Sequence, residues 1–556
     1  IGGGPAGITL ATLVKKYNPK KRILIVEREI FPRHHIGEST LPGMLPILEE
    51  MGVLKKIEAA GFMKKVGAVY VRKNQTPWIV PFRNSSWPNL KPLPTYSWQV
   101  HRATYDKILL DHARECGVEI WEGHTVLELA LPSKNKELVK IHVQNNATTH
   151  TQWLETQFLA DCSGQGSVLS RYLNIRSPLT QLSNLAIYAY YRCDPFKHTL
   201  SGDATQSKIV LRYVEDGWLW YIPLTENLVS VGFVCNRQTL KEKLKGNLRK
   251  FYEERLKQST PIWNVIKNAE TVQNVDGTGR ELFVIRDYSH FNHRACGKGW
   301  IAAGDAAYFV DPIISSGVFM AHMTGMRAAY TLNTFWNSSD SKFRKSMWND
   351  YNLFVQQLSH SFIQMALFWY NREHSALEWC QLAHQLTLTS SETAISQLRS
   401  FILLTSGLFP YRTAIGEDSV YWTNARMTLS MLAQQEGKIE KGDLEKMPAL
   451  PKDQHWKPHL VCDYQVLSST TMQAGKGMLT PCFKLKFIPQ DKNYTSLQPI
   501  LPVTELHLDV LKQIKQGRST KQLAESVSKK LKLSAHLSQV FVKEFLKALW
   551  SARCIT

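Results

Sequence analysis

The chain begins with a run of glycines, and no other feature of the sequence restricts its fold more. The first seven residues read Ile-Gly-Gly-Gly-Pro-Ala-Gly, which fits the pattern G-x-G-x-x-G through Gly2, Gly4 and Gly7. The first glycine permits a tight turn, the second lets a diphosphate approach the backbone, and the third lets the following helix pack on a strand. A helical pattern over Ile8–Tyr17 and a buried strand over Arg22–Val26 follow. We therefore expect a nucleotide-binding βαβ unit whose first strand lies before residue 1, with the diphosphate at the helix N-terminus.

The residue that ends the predicted strand favours a dinucleotide as the ligand of this turn. Glu27 follows Gly7 by 20 residues, which is the separation at which a carboxylate binds ribose hydroxyls in such units. A glycine-rich turn that binds no ligand is the alternative interpretation of the same residues.

The composition excludes several other classes of protein. Of the 556 residues, 44% are hydrophobic and 21% are charged, as in globular proteins. No run of 18 apolar residues occurs, so no membrane-spanning helix is expected. The nine cysteines show no CxxC pair and no zinc-like spacing with histidine, which predicts reduced thiols, a cytoplasmic location and no metal site. The net charge of +20 predicts attraction to anionic partners without choosing among them.

Two later motifs indicate which dinucleotide is bound. Residues 159–164 read Leu-Ala-Asp-Cys-Ser-Gly, and residues 304–307 read Gly-Asp-Ala-Ala. Both resemble the later fingerprints of two-domain FAD enzymes, in which the aspartate of the second motif, here Asp305, binds the ribityl chain. Arg102 matches the arginine that those enzymes place near the cofactor. The resemblance implies FAD rather than NAD, and a two-domain α/β fold of the Rossmann type, similar to flavoprotein monooxygenases.

Four further segments resemble the flavin-dependent halogenases. Residues 217–223 read GWLWYIP and are similar to the W-x-W-x-I-P signature of that family. Residues 31–39 (FPRHHIGES), 62–68 (FMKKVGA) and 311–318 (DPIISSGV) resemble the segment after its second strand, the segment with its essential lysine and its D-P-x-x-S-T-G-V halide loop. The resemblance covers about residues 1–440. Spacing alone places both tryptophans on one face of a strand, where core packing is the simpler interpretation.

The resemblance implies a reaction sequence. Reduced FAD and O₂ oxidise chloride or bromide to hypohalous acid, which passes through an internal tunnel to a lysine and then halogenates an electron-rich aromatic ring. Lys65 matches this lysine, because its spacing to Gly67 and Ala68 favours it over Lys64. A desolvated amine is neutral more readily and can then be halogenated. An ammonium would instead position the hypohalous acid by a hydrogen bond.

The resemblance also implies roles for other residues. Trp218 and Trp220 would line the space beside the flavin and keep the organic substrate away from it. The backbone N–H groups of Ser316 and Gly317 would bind the halide, since a glycine-rich loop that enters a helix offers donors and positive potential. The residues expected to bind FAD are Gly2, Gly4, Ala6, Gly7, Glu27, Arg33, Ser39, Arg102, Asp305, Pro312, Gly317 and Val318.

One departure from the family bears on the substrate. Tryptophan halogenases carry a glutamate immediately before the serine of the halide loop, and this chain has Ile314 there. A phenol or pyrrole, free or tethered to an acyl or peptidyl carrier protein, is therefore favoured over free tryptophan. Because no second nucleotide-binding motif is visible, the resemblance implies a separate flavin reductase. No substrate base can be assigned among Glu38, His34 and His35.

Periodicity and turn residues divide the chain into five predicted regions. These are the first part of the FAD-binding domain (1–182), an antiparallel substrate-domain sheet (183–275), a return segment of the FAD-binding domain (276–341), a helical and wrapping region (342–500) and a basic helical tail (501–556). The proline-rich part of the fourth region, 437–500, is expected to be irregular.

The tail and the overall class leave alternatives open. Residues 505–556 hold ten basic and four acidic residues. A solvated helical module is the simplest interpretation, although nucleic acid or an acidic carrier protein would also suit this charge. The alternative functions are an aromatic hydroxylase or a reductase of the same superfamily, and a basic flavoprotein that binds nucleic acid.

Overall fold

The computed structural model describes most of residues 1–408 and shorter stretches beyond residue 450. The described residues are 1–72, 76–82, 94–133, 137–197, 200–273, 277–286, 288–371, 375–387, 394–408, 455, 457–459, 463–473, 477–488, 500–503, 505–531, 535, 538–539, 542–543 and 546. The predicted helical pattern after residue 408 and the last residues of the tail lie outside this part of the chain.

The described part alternates helices with short and long strands. The helices are α1 (Pro5–Tyr17), α2 (Leu45–Met51), α3 (Leu54–Ala59), α4 (Arg102–Glu115), α5 (Val168–Tyr172), α6 (Arg237–Lys243), α7 (Leu248–Leu256), α8 (Thr260–Ile266), α9 (Gly317–Asn337), α10 (Ser341–Tyr370), α11 (Ala376–Thr387), α12 (Ala394–Thr405), α13 (Glu505–Lys515) and α14 (Thr520–Leu531). The strands are β1 (Leu24–Val26), β2 (Met63–Val71), β3 (Trp78–Pro81), β4 (Ser97–Gln99), β5 (Glu119–Trp121), β6 (His124–Ala130), β7 (Val139–Asn145), β8 (Thr151–Thr156), β9 (Leu159–Asp161), β10 (Arg176–Pro178), β11 (Asn184–Arg192), β12 (Ser207–Val214), β13 (Gly217–Thr225), β14 (Leu228–Asn236), β15 (Glu270–Thr271), β16 (Phe283–Arg286), β17 (His290–Asn292), β18 (Cys296–Gly297), β19 (Trp300–Ala302), β20 (Tyr308–Phe309), β21 (Asp463–Gln473), β22 (Met478–Ile488) and β23 (Ile500–Val503).

The N-terminal residues lie at the centre of a parallel arrangement. β1 pairs in parallel with β5, and β19 pairs in parallel with β9. The start of the chain joins these pairs, because the Gly2 N–H donates to the Val26 carbonyl and the Cys162 N–H donates to the Ile1 carbonyl. α1 begins directly after this turn at Pro5, a residue suited to the first helical position. The predicted turn, helix and strand are confirmed, with the helix starting three residues earlier than its hydrophobic pattern.

A nine-stranded mixed sheet forms the second half of the fold. Its strand order is β15-β11-β14-β13-β12-β2-β3, with β16 beside β11 and β4 beside β2. β12 and β2 are parallel, whereas β11, β14, β13 and β12 are antiparallel to one another. The region 183–275, for which the sequence predicts an antiparallel sheet, contributes the antiparallel strands β11 to β14. The sheet also recruits β2, β3 and β4 from the N-terminal region, so a segment far away in sequence reaches the face that carries the two tryptophans.

The C-terminal region differs from the sequence prediction. The proline-rich stretch 437–500 was expected to be irregular, but β21 and β22 form an antiparallel hairpin within it, and β23 pairs with residues 483–486 of β22. The prediction was wrong because Pro481 lies outside the part of β22 that pairs with β23, where its missing N–H breaks no bond to that strand. In the tail, α13 and α14 are helical as predicted. No described helix is long and apolar enough to cross a membrane.

Candidate active site

Backbone crowding explains two of the three glycines in the N-terminal turn. Gly2 has φ 96°, and a Cβ there would lie 2.2 Å from the Cys162 carbonyl oxygen. A Cβ on Gly7 would lie 2.1 Å from the Gly2 carbonyl oxygen. A Cβ on Gly4 would approach only Arg33 Nη2, at 3.7 Å. The protein itself therefore does not require glycine at position 4, and the bare backbone there leaves an open face at the positive end of α1.

The carboxylate predicted to bind ribose also braces this turn. Glu27 Oε2 accepts the N–H of Gly3 at 2.6 Å, and Oε1 accepts the N–H of Glu29 at 2.9 Å. Each carboxylate oxygen can accept a second hydrogen bond, so the side chain can hold the turn and a ribose hydroxyl together.

Arg102 is held by an aspartate that sequence reasoning did not identify. Its Nε and Nη2 donate to the two oxygens of Asp106, each at 2.9 Å, and its Nη1 donates to the Ile36 carbonyl at 2.6 Å. Arg33 Nη1 lies 3.5 Å from Asp106 Oδ2. Burial would raise the pKa of Asp106, but the two arginines outweigh it and hold that pKa below its ordinary value. The i,i+4 spacing of Arg102 and Asp106 on one helix is the signal that could have revealed this pair.

Several buried polar atoms in this region have no hydrogen-bond partner among the described residues. They are Arg33 Nη1, Ser39 Oγ and both amide atoms of Gln99, and Ser39 and Gln99 face each other across an isolated antiparallel bridge. Buried polar groups are almost always paired in native proteins. A polar ligand such as FAD would supply the missing partners, so the residues present fit that group. Gln99 was not identified from the sequence.

The second fingerprint lies against the glycine turn. Gly304 has φ 62°, and a Cβ there would lie 2.8 Å from the Cβ of Ala6. Asp305 Oδ2 accepts a hydrogen bond from Gln165 Nε2 at 3.1 Å, and burial raises the pKa of Asp305 to about 6. The structure thus brings Ala6 and Asp305, which are remote in sequence, to the same end of α1.

The predicted halide loop places unpaired N–H groups at the start of a long helix. Pro312 begins a short 3₁₀ helix, Ser315 has a left-handed backbone (φ 57°), and Ser316 caps the 21-residue helix α9. The N–H groups of Ser316 and Gly317 have no acceptor within the described residues. Successive right- and left-handed residues aim neighbouring N–H groups at one point and form anion-binding concavities. Val318 follows as a buried residue of α9.

The two tryptophans of the W-x-W segment share one face of β13, as predicted. Both are buried, their ring centroids lie 6.1 Å apart, and both belong to the main hydrophobic core. Trp220 Nε1 donates to Ser230 Oγ at 3.2 Å, and Trp218 Nε1 donates to the Tyr370 hydroxyl at 2.8 Å. Each indole N–H therefore has a fixed acceptor, which gives each ring one orientation.

A β-bulge decides where Lys65 points. Lys65 pairs with Ser207 of β12, but Ile209, two residues further along β12, pairs with Ala68, three residues further along β2. The extra residue in β2 reverses the alternation of side chains, so Lys65 lines the same cavity as Ala68 and Tyr70. Gly67 is required at the bulge, because a Cβ there would lie 2.5 Å from the Val80 carbonyl oxygen.

Lys65 lies in a small apolar cavity that it shares with the halide loop. The side chain is 1% exposed, Nζ donates to the Thr40 carbonyl at 2.9 Å, and burial lowers the pKa of the amine to about 7. The cavity has room for about one water-sized molecule. Lys64, in contrast, is exposed and lies over the Tyr96 ring at 4.3 Å. The cavity is lined by Leu41, Lys65, Ala68, Tyr70, Val80, Phe82, Ile209, Leu211, Ile313, Ile314, Ser315 and Thr405.

The acidic residue of the FPRHHIGES segment lies on the tryptophan side of the sheet. Glu38 is buried, and burial raises its pKa to about 7, although the Tyr190 and Ser230 hydroxyls favour the carboxylate. Ser230 is also the acceptor for Trp220. His34 packs against Phe283, with ring centroids 5.0 Å apart. Neither residue lines the Lys65 cavity.

Comparison with known proteins gives matches over most of the chain. A family model for tryptophan halogenases matches residues 1–94 and 88–435. The tryptophan 2-halogenase of Chondromyces crocatus is 30% identical over 336 residues, which are 60% of either chain. The 1H-pyrrole-2-carbonyl-[peptidyl-carrier protein] chlorinase of Pseudomonas fluorescens is 30% identical over 344 residues, which are 58% of this chain and 72% of that relative. The match to the first of these relatives therefore spans less than two thirds of its length.

Solved structures match the fold more extensively. The flavin-dependent halogenase CmlS superposes with a TM-score of 0.70 over all of this chain and 94% of its own, at 22% identity. The myxobacterial chondrochloren halogenase CndH, described as a variant of FAD-dependent halogenases, superposes with a TM-score of 0.59 over 75% of this chain and 97% of its own, at 26% identity. The α/β fold expected from the glycine turn and the later fingerprints is thereby confirmed.

Proposed function

The chain belongs to the tryptophan halogenase family, and on that premise we propose that it halogenates an electron-rich aromatic compound with reduced FAD, O₂ and chloride or bromide. The observation that carries the proposal is the cavity in which Lys65 and the halide-loop residues Ile314 and Ser315 meet. Hypohalous acid formed beside this loop would have a short route, protected from solvent, to the desolvated amine of Lys65.

The residues that would hold FAD surround the start of α1. Gly4 would leave room for the diphosphate, Glu27 would accept from the ribose, and Asp305 would accept from the ribityl hydroxyls. Arg33 Nη1 and Ser39 Oγ, which make no hydrogen bond within the described residues, would complete the polar contacts. When bound and reduced, FAD would use O₂ to supply the oxidising equivalents that convert halide into hypohalous acid.

The halide loop and the tryptophan pair would have different roles in that oxidation. The N–H groups of Ser316 and Gly317, at the positive end of α9, would hold the anion until it is oxidised. Trp218 and Trp220 fill the adjacent core and would keep the aromatic substrate from reaching the oxidant directly. This separation favours halogenation over hydroxylation.

Lys65 would transfer the halogen in one of two ways. As a neutral amine it attacks the halogen of HOX, so that an N–X bond forms, the O–X bond breaks, and water leaves with a proton from nitrogen. The aromatic carbon then takes X⁺ and releases its proton, which restores the amine. As an ammonium, Lys65 would instead donate a hydrogen bond to the oxygen of HOX and make its halogen more electrophilic. Burial, which lowers the pKa of Lys65 to about 7, makes both forms accessible near neutral pH.

The apolar residue at position 314 supports a phenol or pyrrole, rather than free tryptophan, as substrate. Ile314 stands where tryptophan halogenases have glutamate, and no described carboxylate lies beside it in the wall of the Lys65 cavity. One relative is named as a chlorinase of a pyrrole on a peptidyl carrier protein, which supports a carrier-bound substrate here. We propose a separate flavin reductase as the source of reduced FAD.

The basic tail would receive such a carrier. Lys512, Lys515, Arg518 and Lys521 are exposed around the turn between α13 and α14, and residues 510–524 contain no acid. An acidic carrier protein is complementary to this cluster.

Mass spectrometry after incubation with FAD, a flavin reductase, NADH, bromide and a panel of free and carrier-bound phenols and pyrroles tests the proposal. The expected product shows the paired isotope masses of bromine. A hydroxylated product without bromine would identify an aromatic hydroxylase instead, an enzyme that needs neither Lys65 nor the tryptophan pair.

A further inference from the structure

A chain of hydrogen bonds joins the tryptophan segment to the halide loop; its two ends, Trp218 and Asp311, are buried, and Tyr370 between them is half-buried. Trp218 Nε1 donates to the Tyr370 hydroxyl at 2.8 Å, and that hydroxyl donates to Asp311 Oδ2 at 2.9 Å. Asn184 Nδ2 donates to the same oxygen at 3.1 Å. Asp311 Oδ1 accepts the N–H of Ile313 at 3.1 Å and so caps the 3₁₀ helix of the loop.

The connecting residue, Tyr370, comes from a distant part of the chain. It is the last residue of α10, and in sequence it is 152 residues from Trp218 and 59 residues from Asp311. Its hydroxyl accepts one bond and donates the other, so its proton has one defined position. Since Trp218 is 1% exposed and Asp311 is 2% exposed, neither group can replace a lost bond with water.

The position of Asp311 determines the conformation of the halide loop. Its carboxylate fixes the first turn of the loop through Ile313, four residues before the predicted halide donor Gly317. If Asp311 Oδ2 lost its hydrogen bond from the Tyr370 hydroxyl, the buried carboxylate would have one donor fewer. Its hydrogen bond from the Ile313 N–H would then hold the loop less firmly. The N–H groups that should converge on the anion would then be less well ordered.

We infer that Tyr370 is a positioning residue for halide binding, and that Trp218 acts on the halide loop through it in addition to filling space. This inference rests on the proposed halide site at Ser316 and Gly317. It gives the W-x-W segment a second role, in setting the affinity for the anion.

The test is the Tyr370→Phe variant of the full-length FAD-bound protein, which keeps the ring and removes the hydroxyl. Bromide is titrated in chloride-free buffer at constant ionic strength, and its dissociation constant is obtained from the rise in the thermal midpoint. The KM for bromide is measured in parallel. We expect both constants to increase about five- to tenfold, less than the full value of a hydrogen bond to a carboxylate because the lost bond acts on the anion only through the loop, with kcat at saturating bromide and FAD content nearly unchanged.

A matched control and a double variant separate this role from a structural one. Tyr252→Phe also removes a buried hydroxyl, which donates to the Val231 carbonyl at 2.7 Å on the other face of the sheet, and should leave bromide affinity unchanged. Trp218→Phe should weaken bromide binding in the wild-type background but add little in the Tyr370→Phe background, because both changes break the same chain.

The outcomes distinguish the inference from the proposed function. If wild-type protein shows no bromide-dependent stabilisation, the proposed halide site is wrong. If wild-type protein binds bromide and Tyr370→Phe binds it equally well, the positioning role is wrong while the site survives. Should Tyr370→Phe fail to fold, Asn184→Ala removes the other donor to Asp311 Oδ2 and must raise the bromide constants in the same way; unchanged constants in that variant would also refute the role.

Discussion

The burial of Lys65 predicts that halogen transfer changes steeply with pH around neutrality. An ordinary lysine has a pKa near 10.5, and burial alone lowers that of Lys65 to about 7. The neutral fraction of the amine should then rise from about 10% at pH 6 to about 90% at pH 8, whereas an exposed lysine would remain below about 1% neutral throughout. Transfer through a halogenated amine should increase about tenfold over this interval, and transfer through an ammonium hydrogen bond should decrease about tenfold.

The assay must isolate Lys65 from other groups that titrate in the same range, such as Glu38 and Asp311, whose pKa values burial raises to about 7 and about 6. The ratio of halogenated product to O₂ consumed does so, because Lys65 acts only after the halide is oxidised. Lys65→Met should consume O₂, release hydrogen peroxide or hypohalous acid, and give almost no product at any pH. Lys64→Met should retain the wild-type profile. A ratio that is constant from pH 6 to 8, or that changes only above pH 9, would refute the reasoning from burial.

A second measurement of the same perturbation needs no substrate. The folded pKa of Lys65 lies below the unfolded value, so the unfolded chain binds more protons between pH 7 and pH 10.5, and stability rises with pH there. From a pKa of about 7, this lysine should add about 2 kcal/mol to the free energy of unfolding between pH 7 and pH 9. Relative to Lys65→Met, the wild type should therefore gain about 2 kcal/mol in the free energy of unfolding between pH 7 and pH 9; a difference independent of pH would contradict the burial of the amine.

Three further predictions concern the other parts of the site. Gly317→Val should retain FAD and continue to release peroxide but lose halide-dependent product, because a Cβ there would lie 2.9 Å from the Phe309 ring; normal halide dependence in this variant would show that the anion binds elsewhere. Gly4→Ala should fold normally and bind FAD at least tenfold more weakly by fluorescence titration, whereas Gly7→Ala should lose folded protein, since only the second Cβ meets backbone; equal FAD affinity in Gly4→Ala would place the diphosphate away from this turn. Reversing the charge of Lys512 and Arg518 should raise the KM for a carrier-bound substrate severalfold, less so at high salt, and leave a free substrate unaffected; equal loss on both substrates would mean that the tail is structural.

Local backbone constraints are what made the N-terminal turn and the tryptophan strand predictable. A Cβ on Gly2 would meet the carbonyl oxygen of Cys162, and a Cβ on Gly7 would meet that of Gly2. Such positions can be recognised in the sequence because glycine alone fits them. The shared face of Trp218 and Trp220 follows from the two-residue period of any strand. The spacing of Lys65 to Gly67 is of the same kind, since the glycine is needed at the bulge.

Contacts between distant segments determine the features of the site that the sequence does not reveal. Sequence periodicity in β2 cannot reveal that a bulge turns Lys65 into the cavity, because the bulge is defined only by pairing with β12. Tyr370 reaches Asp311 and Trp218 only because the fold brings the end of α10 beside β13 and the halide loop, and no spacing in the sequence encodes that contact. The pKa of Lys65 is likewise a property of the assembled core, because desolvation depends on which side chains from six separate segments close around the amine.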